Sequence, residues 1–451
     1  MAAYDYLILG NSAAAIAAVE QVRAGDPEAS IRMVSPESFP AYGTPLISYL
    51  LEGKTDLEHM QLRPSDFYDV NNIETTFGPG YDAVKLDAEG HTVELSNGER
   101  IGYGKVLVAT GSVPFTPPIK GLLGMKNMST FLTLEQAMTC GEAVDAATEA
   151  AHAEGRTSRV IVVGGGLIGL KAAEALCSHA DEIVVLEMAP RILPAVLDAE
   201  GAAILCDELS RRGITCKPGV TANEFVGDGE VISSALLTDE TTLECDFVVA
   251  AVGVRPNSAI LADAGATMGR GVITDERMLT SLPDVYAAGD VTQTTDLLDG
   301  SEKCLALWGN AVRQGRIAGA QMAGIKGAAT YPGNFAVNSV DFFDEIYLLT
   351  SGIINPAPDA GYTETVKAEG NTYTKFVSKD DRLYGYILLN RSQNAGIYTA
   401  IINHKIPLSS LDEDILSDVP RNLDFGSDLR WFRLHLGYPS NLDRHGWKER
   451  S

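Results

Sequence analysis

The stretch Val163-Gly164-Gly165-Gly166-Leu167-Ile168-Gly169 carries the strongest chemical signal in the sequence. Its glycines fall in the pattern G-x-G-x-x-G, between a strand-like and a helix-like run. Gly164 permits a tight turn, Gly166 lets the backbone approach a pyrophosphate, and Gly169 allows close helix packing. Phosphates would sit at the helix start, at Gly166, Leu167 and Ile168, where free N–H groups and the helix dipole favour anions. Glu187 ends the following strand. A carboxylate there accepts hydrogen bonds from an adenosine ribose and repels a 2′-phosphate, which favours NAD over NADP.

A weaker copy opens the chain. In Gly10-Asn11-Ser12-Ala13-Ala14-Ala15 the turn glycine is kept, while Ser12 and Ala15 replace the later two. Both are small, and Ser12 can donate to a phosphate. The same residues suit plain helix–strand packing. Glu37 follows the second strand as a ribose acceptor or, more plainly, a surface acid.

Two further stretches join these. Ala109-Thr110-Gly111-Ser112 follows a strand, and Val285-Tyr286-Ala287-Ala288-Gly289-Asp290 is a strand that ends in Gly-Asp. With Ala251-Val252-Gly253-Val254-Arg255-Pro256-Asn257, they make the chain resemble the pyridine nucleotide–disulfide oxidoreductases along essentially its whole length. The resemblance implies FAD on Gly10, Asn11, Ser12, Ala13, Ala14, Glu37, Thr110, Gly111, Gly289 and Asp290. It implies NAD on Gly164, Gly166, Leu167, Ile168, Glu187 and Gly253. Trp308 falls where the family lines the far side of the flavin, and a core tryptophan is the competing reading. Family members that reduce disulfides or peroxides carry cysteine in the stretch that here reads Tyr42-Gly43-Thr44-Pro45-Leu46-Ile47-Ser48-Tyr49-Leu50. Pro45 stands at the single-cysteine position, beside the flavin. Without a thiolate there is no nucleophile to take electrons from it. The chain is therefore similar to the cysteine-free branch: rubredoxin and ferredoxin reductases and the flavoprotein part of nitrite reductases. That branch commonly has Glu where this chain has Lys171, so Lys171 is expected at the flavin–nicotinamide rim. An ordinary solvated helix lysine is the alternative.

The elements that must position these groups are legible. Strand Tyr4–Leu9, helix Ala13–Arg23 and strand Ile31–Val34 form a βαβ opening. Strand Arg159–Val163, helix Leu167–His179 and strand Ile183–Leu186 repeat it. Between them lie short strands with a turn at Asn97-Gly98, a proline-rich crossover over Pro114–Gly121 and a helix over Cys140–Arg156. Beyond residue 331, strand-like runs Thr372–Val377 and Leu383–Leu389 and a helix-like run Ala395–Asn403 suggest an α+β unit. The expected fold is α/β, glutathione-reductase-like: two Rossmann-like dinucleotide-binding domains and a C-terminal α+β interface domain. The expected boundaries are FAD domain 1–120 and 250–330, NAD domain 121–249, and C-terminal domain 331–451.

Composition fits a folded chain. The 451 residues are 45% hydrophobic and 21% charged, with net charge −25. That charge repels nucleic acid and anionic membranes. The longest apolar run, about 11 residues around Val160–Leu170, is short of the roughly 20 a membrane span needs. No signal peptide is visible, and a cytoplasmic location is expected. The six cysteines form no CxxC or CxxxxC pair, so neither zinc nor a redox disulfide is signalled. A basic, aromatic tail from Leu429 to Ser451 is expected to dock on the acidic body or on a twofold mate. Asp412, Glu413 and Asp414 read as a solvated loop.

The expected activity is hydride transfer from NADH to FAD and onward passage of electrons. The first acceptor is a small iron–sulfur protein such as rubredoxin or ferredoxin, and the assembly is a homodimer. An NADH oxidase using dioxygen is the alternative enzyme. A slow flavin-bound sensor is the alternative of another class.

Overall fold

The computed structural model describes residues 2–411 together with Leu416, Arg421 and Phe425. The expected acidic loop at Asp412–Asp414 and the basic tail from Leu429 lie outside the described residues. Two compact units are present, Met1–Ala336 and Val337–Ser451.

The first unit opens with strand β1 (Ala3–Leu9), helix α1 (Ala13–Gly25) and strand β2 (Ile31–Ser35). Short helices α2 (Ile47–Leu51) and α3 (Phe67–Val70) precede β3 (Ile73–Phe77), β4 (Ala83–Asp87), β5 (Thr92–Leu95) and β6 (Arg100–Val108). The sheet order is β3-β2-β1-β6-β5-β4. β1 runs parallel to both β2 and β6, in the register Tyr6↔Ile31 and Leu7↔Val106. Strand order therefore reverses beside β1, and crevices at such reversal points hold ligands at the carboxyl ends of the strands. The first half of β6 pairs with β5 through the Asn97-Gly98 turn, and its second half with the strand Val285–Ala287. The first seven residues of α1 are all buried, and five of them are alanine.

After β7 (Ser112–Pro114) and β8 (Met128–Thr130) comes α4 (Leu134–Ala153). It starts earlier than the helix-like run suggests. Thr133 caps it by accepting from Gln136 N, and Gln136 reaches back to Thr133 N, a reciprocal pair that the sequence T-x-x-Q encodes. The second opening is β9 (Arg159–Val163), α5 (Leu167–Leu176) and β10 (Glu182–Glu187), followed by α6 (Ala199–Ser210) and β11 (Ile214–Pro218). These strands and Phe247–Ala250 form a second parallel sheet in the order β11-β10-β9-(Phe247–Ala250)-β8. α5 ends three residues before the expected His179. The proline-rich crossover is not purely loop, because β7 pairs antiparallel with Val254–Pro256. Outgoing and returning chains thus run side by side, with Arg255 stacked 3.9 Å over the Phe115 ring. α7 (Ala259–Asp263) and α8 (Trp308–Met322) complete the unit.

The second unit is a five-stranded antiparallel sheet. Helix α9 (Ala395–Asn403) lies against it, with Phe376 and Tyr398 ring centroids 4.8 Å apart.

Candidate functional site

Gly10 and Gly164 end the first strand of each opening with φ of +118° and +112°. Side chains are excluded there twice over. A Cβ on Gly10 would stand 2.2 Å from Ala109 O, and one on Gly164 2.4 Å from Ala251 O. A Cβ on Gly169 would stand closer still, 1.9 Å from Gly164 O, so α5 rests directly on its own turn. A Cβ on Gly166, by contrast, would meet nothing within 4 Å. That opening is the space an approaching phosphate fills.

The helix starts support the same reading. α1 begins at Ser12 and α5 at Gly166 with no side chain capping the first N–H groups. α8 and α9 likewise start without a side-chain cap, whereas α4 and α6 are capped by Thr133 and Asp198, Thr133 itself lining the cleft described below. The free N–H groups of such a first turn can receive an anion, and Leu167 and Ile168 contribute theirs at α5. In the N-terminal copy, a second helix packs closely on α1. A Cβ on Gly315 or Gly319 of α8 would lie 2.1 Å from Ala14 O or 2.2 Å from Ala18 O. Ala13 and Ala14 are buried in that seam.

The acids stand where the strands end. Glu187 Oε2 accepts from Gly165 N at 2.7 Å and Oε1 from Ala189 N at 2.7 Å, which fixes the carboxylate beside the second glycine turn. Glu37 Oε2 accepts from Tyr42 Oη at 2.6 Å, and Tyr42 Oη accepts from Leu134 N at 3.0 Å. Burial holds the Glu37 carboxyl above its ordinary pKa, against the Tyr42 hydrogen bond. Asp290 accepts from Ser112 Oγ at 3.1 Å, and burial raises its pKa too.

A cleft of about 480 Å³ brings together Gly10, Asn11, Ser12, Glu37, Thr44, Thr110, Gly111, Ser112, Asn257 and Asp290. Thr110 Oγ1 donates to Asn257 O at 2.7 Å, and Asn257 N donates to Gly111 O at 2.9 Å. This ties the turn after β6 to the returning crossover. Asn11 positions the first turn: its Nδ2 donates to Phe39 O and its Oδ1 accepts from Tyr68 Oη. Gly289 carries φ +85°, and its N–H donates to Gln314 Oε1. On the first turn of the neighbouring α8, Asn310 Nδ2 is buried without a hydrogen-bond partner among the described residues. A buried donor of this kind calls for a ligand or water. Half-buried Trp308 opens the same helix and packs on the core. Open space at Gly166, two uncapped helix starts, cleft-lining acids and an orphaned amide all fit two dinucleotides.

Other expected residues sit apart. Pro45 is exposed in the short turn Thr44–Leu46, whose Thr44 lines the cleft. Gly253, with φ +115°, accepts from Phe115 N in the crossover ribbon. Lys171 is not the solvated helix lysine of the alternative reading. It is 13% exposed, pairs with Glu174 Oε2 at 2.6 Å, lies 3.8 Å from Glu52 Oε1 and sits 4.6 Å above the Tyr49 ring. Glu174 is 1% exposed and also lies 4.0 Å from Lys54 Nζ. The lysine thus belongs to a charge cluster where α2 meets α5. Ser112, Tyr42 and Asn310 escaped sequence reasoning. Ser112 adjoins the Thr110-Gly111 motif and was within its reach, whereas nothing local marks Tyr42 or Asn310.

The family profile of the pyridine nucleotide-disulphide oxidoreductases matches residues 4–315. A nitrite reductase [NAD(P)H] of Bacillus subtilis is 28% identical over 406 residues, 89% of this chain. The chain spans about half, 48%, of that relative. An NADH oxidase of Methanocaldococcus jannaschii is 32% identical over 338 residues, covering 72% of this chain and 71% of the relative. Among solved structures, a ferredoxin reductase from Rhodopseudomonas palustris superposes with a TM-score of 0.78 at 25% identity, covering 90% of this chain and 96% of the other.

Proposed function

The chain belongs to the pyridine nucleotide-disulphide oxidoreductase family, and we propose that it is an FAD-dependent NADH oxidoreductase whose electrons pass to a small iron–sulfur protein such as rubredoxin or ferredoxin. The observation that carries this reading is the pair of glycine turns, each with an uncapped helix start and an acid fixed at the end of the next strand. Residues 1–120 and 250–330 hold FAD, residues 121–249 hold NADH, and the chain from residue 331 forms an interface domain. A cytoplasmic homodimer, expected from the sequence, remains part of the proposal, and sedimentation checks the twofold assembly.

Bound FAD supplies the conversion of a two-electron donor into one-electron steps. The chain binds and orients. Ser12 and the first turns of α1 and α5 hold the pyrophosphates, Glu37 and Glu187 accept from the riboses, and Asp290 holds the ribityl chain. Hydride transfer needs no proton from a side chain. Among the described residues, none of those lining the cleft is a cysteine. Cys177, nearest the α2–α5 junction, is pushed to about 12 by burial and then by Glu174 and Glu52, and stays protonated.

Likeness to a ferredoxin reductase supports the iron–sulfur acceptor, and likeness to an NADH oxidase supports dioxygen as the second reading. Steady-state turnover with rubredoxin, ferredoxin and dioxygen separates them. Rapid reduction of either iron–sulfur protein is expected. Oxygen consumption at a full catalytic rate with both proteins inert overturns the choice of acceptor. NADH should be preferred over NADPH. Glu187→Ala should shrink the ratio of the two kcat/KM values by roughly tenfold to a hundredfold, as expected of about 1.5–3 kcal/mol in a charged hydrogen bond. An unchanged ratio would remove Glu187 from the nucleotide site.

A further inference from the structure

Tyr42 stands between two groups that the sequence keeps far apart, the Glu37 carboxylate and the start of α4. It is buried, and it lines the same cleft as Glu37 and Thr133. The chain is pinned on both sides of it: Gly43 N donates to Met60 O at 2.8 Å, and Ala41 N donates to Tyr68 Oη at 2.9 Å. Tyr68 Oη in turn donates to Asn11 Oδ1, and Asn11 Nδ2 donates to Phe39 O, so the segment that carries Tyr42 is tied to the first glycine turn. The Phe39 ring meets the Tyr42 ring edge-on, with centroids 6.5 Å apart.

A phenol hydroxyl has one proton to give. Leu134 N, at the first position of α4, donates to Tyr42 Oη at 3.0 Å, so the hydroxyl proton must point elsewhere. Glu37 Oε2 stands 2.6 Å away to receive it. α4 is itself fixed at this end by the reciprocal Thr133–Gln136 pair. The backbone of α4 thus aims the Tyr42 O–H at one oxygen of Glu37. The other, Oε1, makes no hydrogen bond among the described residues. Burial and the neighbouring Glu135 disfavour the ionised Glu37, and the bond from Tyr42 favours it.

We propose that Tyr42 is the positioning residue for the adenosine ribose of FAD: it holds one oxygen of Glu37 and leaves the other for the ribose hydroxyls. The inference rests on the FAD assignment of the cleft and adds a residue that acts through Glu37 rather than on the ligand. A carboxylate already fixed by one hydrogen bond loses less freedom when the ribose binds, and that saving appears as affinity.

FAD and FMN share the flavin, and only FAD carries the adenosine. The flavin-loaded protein, equilibrated with FAD and a large excess of FMN and then freed of unbound flavin, reports the FAD:FMN ratio in its bound fraction. General loosening of the cleft weakens both flavins, whereas a role at the ribose changes the ratio. Tyr42→Phe, which keeps the ring beside Phe39, should lower the ratio about threefold to tenfold, the size of one net hydrogen bond. Glu37→Ala should lower it at least as far. Adding Tyr42→Phe to Glu37→Ala should lower it no further, because the group through which Tyr42 acts is gone. A wild-type ratio in Tyr42→Phe, beside a lowered one in Glu37→Ala, would overturn the positioning role and leave the ribose acid standing. An equal fall on both backgrounds would also overturn it, by making Tyr42 a prop of the cleft alone. An unchanged ratio in Glu37→Ala would overturn the adenosine reading of the cleft, and the inference with it.

Discussion

Asp290 is costly to the protein without its ligand. Burial raises its pKa above the ordinary 3.8, so the folded chain binds that proton more tightly than the unfolded chain does. A group shifted this way loses stability for the fold as pH rises from the ordinary value through the folded one. Asp290→Asn should make the flavin-free protein more stable than wild type at pH 7, with the gain vanishing below about pH 4. Its FAD dissociation constant should rise roughly tenfold to a hundredfold, as for losing a charged hydrogen bond. Urea unfolding across pH and flavin titration read the two effects. Tight FAD binding in the variant would take Asp290 out of the site. Lys171 acts first on stability, because Glu174 beside it is almost fully enclosed. Removing one partner of a buried pair costs about 3–5 kcal/mol. Lys171→Met should lower urea stability by that order, whereas Lys126→Met, in an exposed pair with Glu230, should change little. Equal, small losses would show that the α2–α5 cluster carries no weight.

The seam between α1 and α8 decides whether the first glycine turn can work. Gly315 and Gly319 let the two helices touch backbone to backbone. Gly315→Ala forces them apart, and overpacking of this kind costs about 1–3 kcal/mol. The start of α1 would move with it, so flavin absorbance per protein should fall together with the unfolding midpoint. Gly396→Ala is the opposite case. It lies in α9 with open space around its Cβ position, and replacing a helical glycine should stabilise by up to about 1 kcal/mol. A Gly315→Ala variant with full flavin and unchanged stability would show that the seam has slack.

Across the whole molecule, the cleft is assembled from stretches far apart in sequence: Gly10–Ser12, Glu37, Thr110–Ser112, Asn257 and Asp290. A ligand that bridges them stabilises the fold by mass action, about 4.1 kcal/mol at a thousandfold excess over its dissociation constant. Stripping FAD should therefore lower the melting temperature, and restoring FAD should raise it logarithmically with concentration. FMN, which lacks the adenosine half held by the first glycine turn, should restore less. An equal effect of FMN would overturn the dinucleotide assignment of the cleft.

The sequence alone determined the two βαβ openings, the turn glycines and the acids that follow the second strands. These are local. A tight turn demands a positive φ that glycine tolerates, and strand–helix–strand alternation fixes where each strand must end. The capping box of α4 was equally local. Only the tertiary structure decided which groups meet across the chain. It gave Lys171 to Glu174 and Glu52, set Tyr42 between Glu37 and α4, and seated α1 on Gly315 and Gly319 of α8. Each depends on how helices and crossovers pack on the sheets. Periodicity within one segment carries no information about the partner that packing will bring to it.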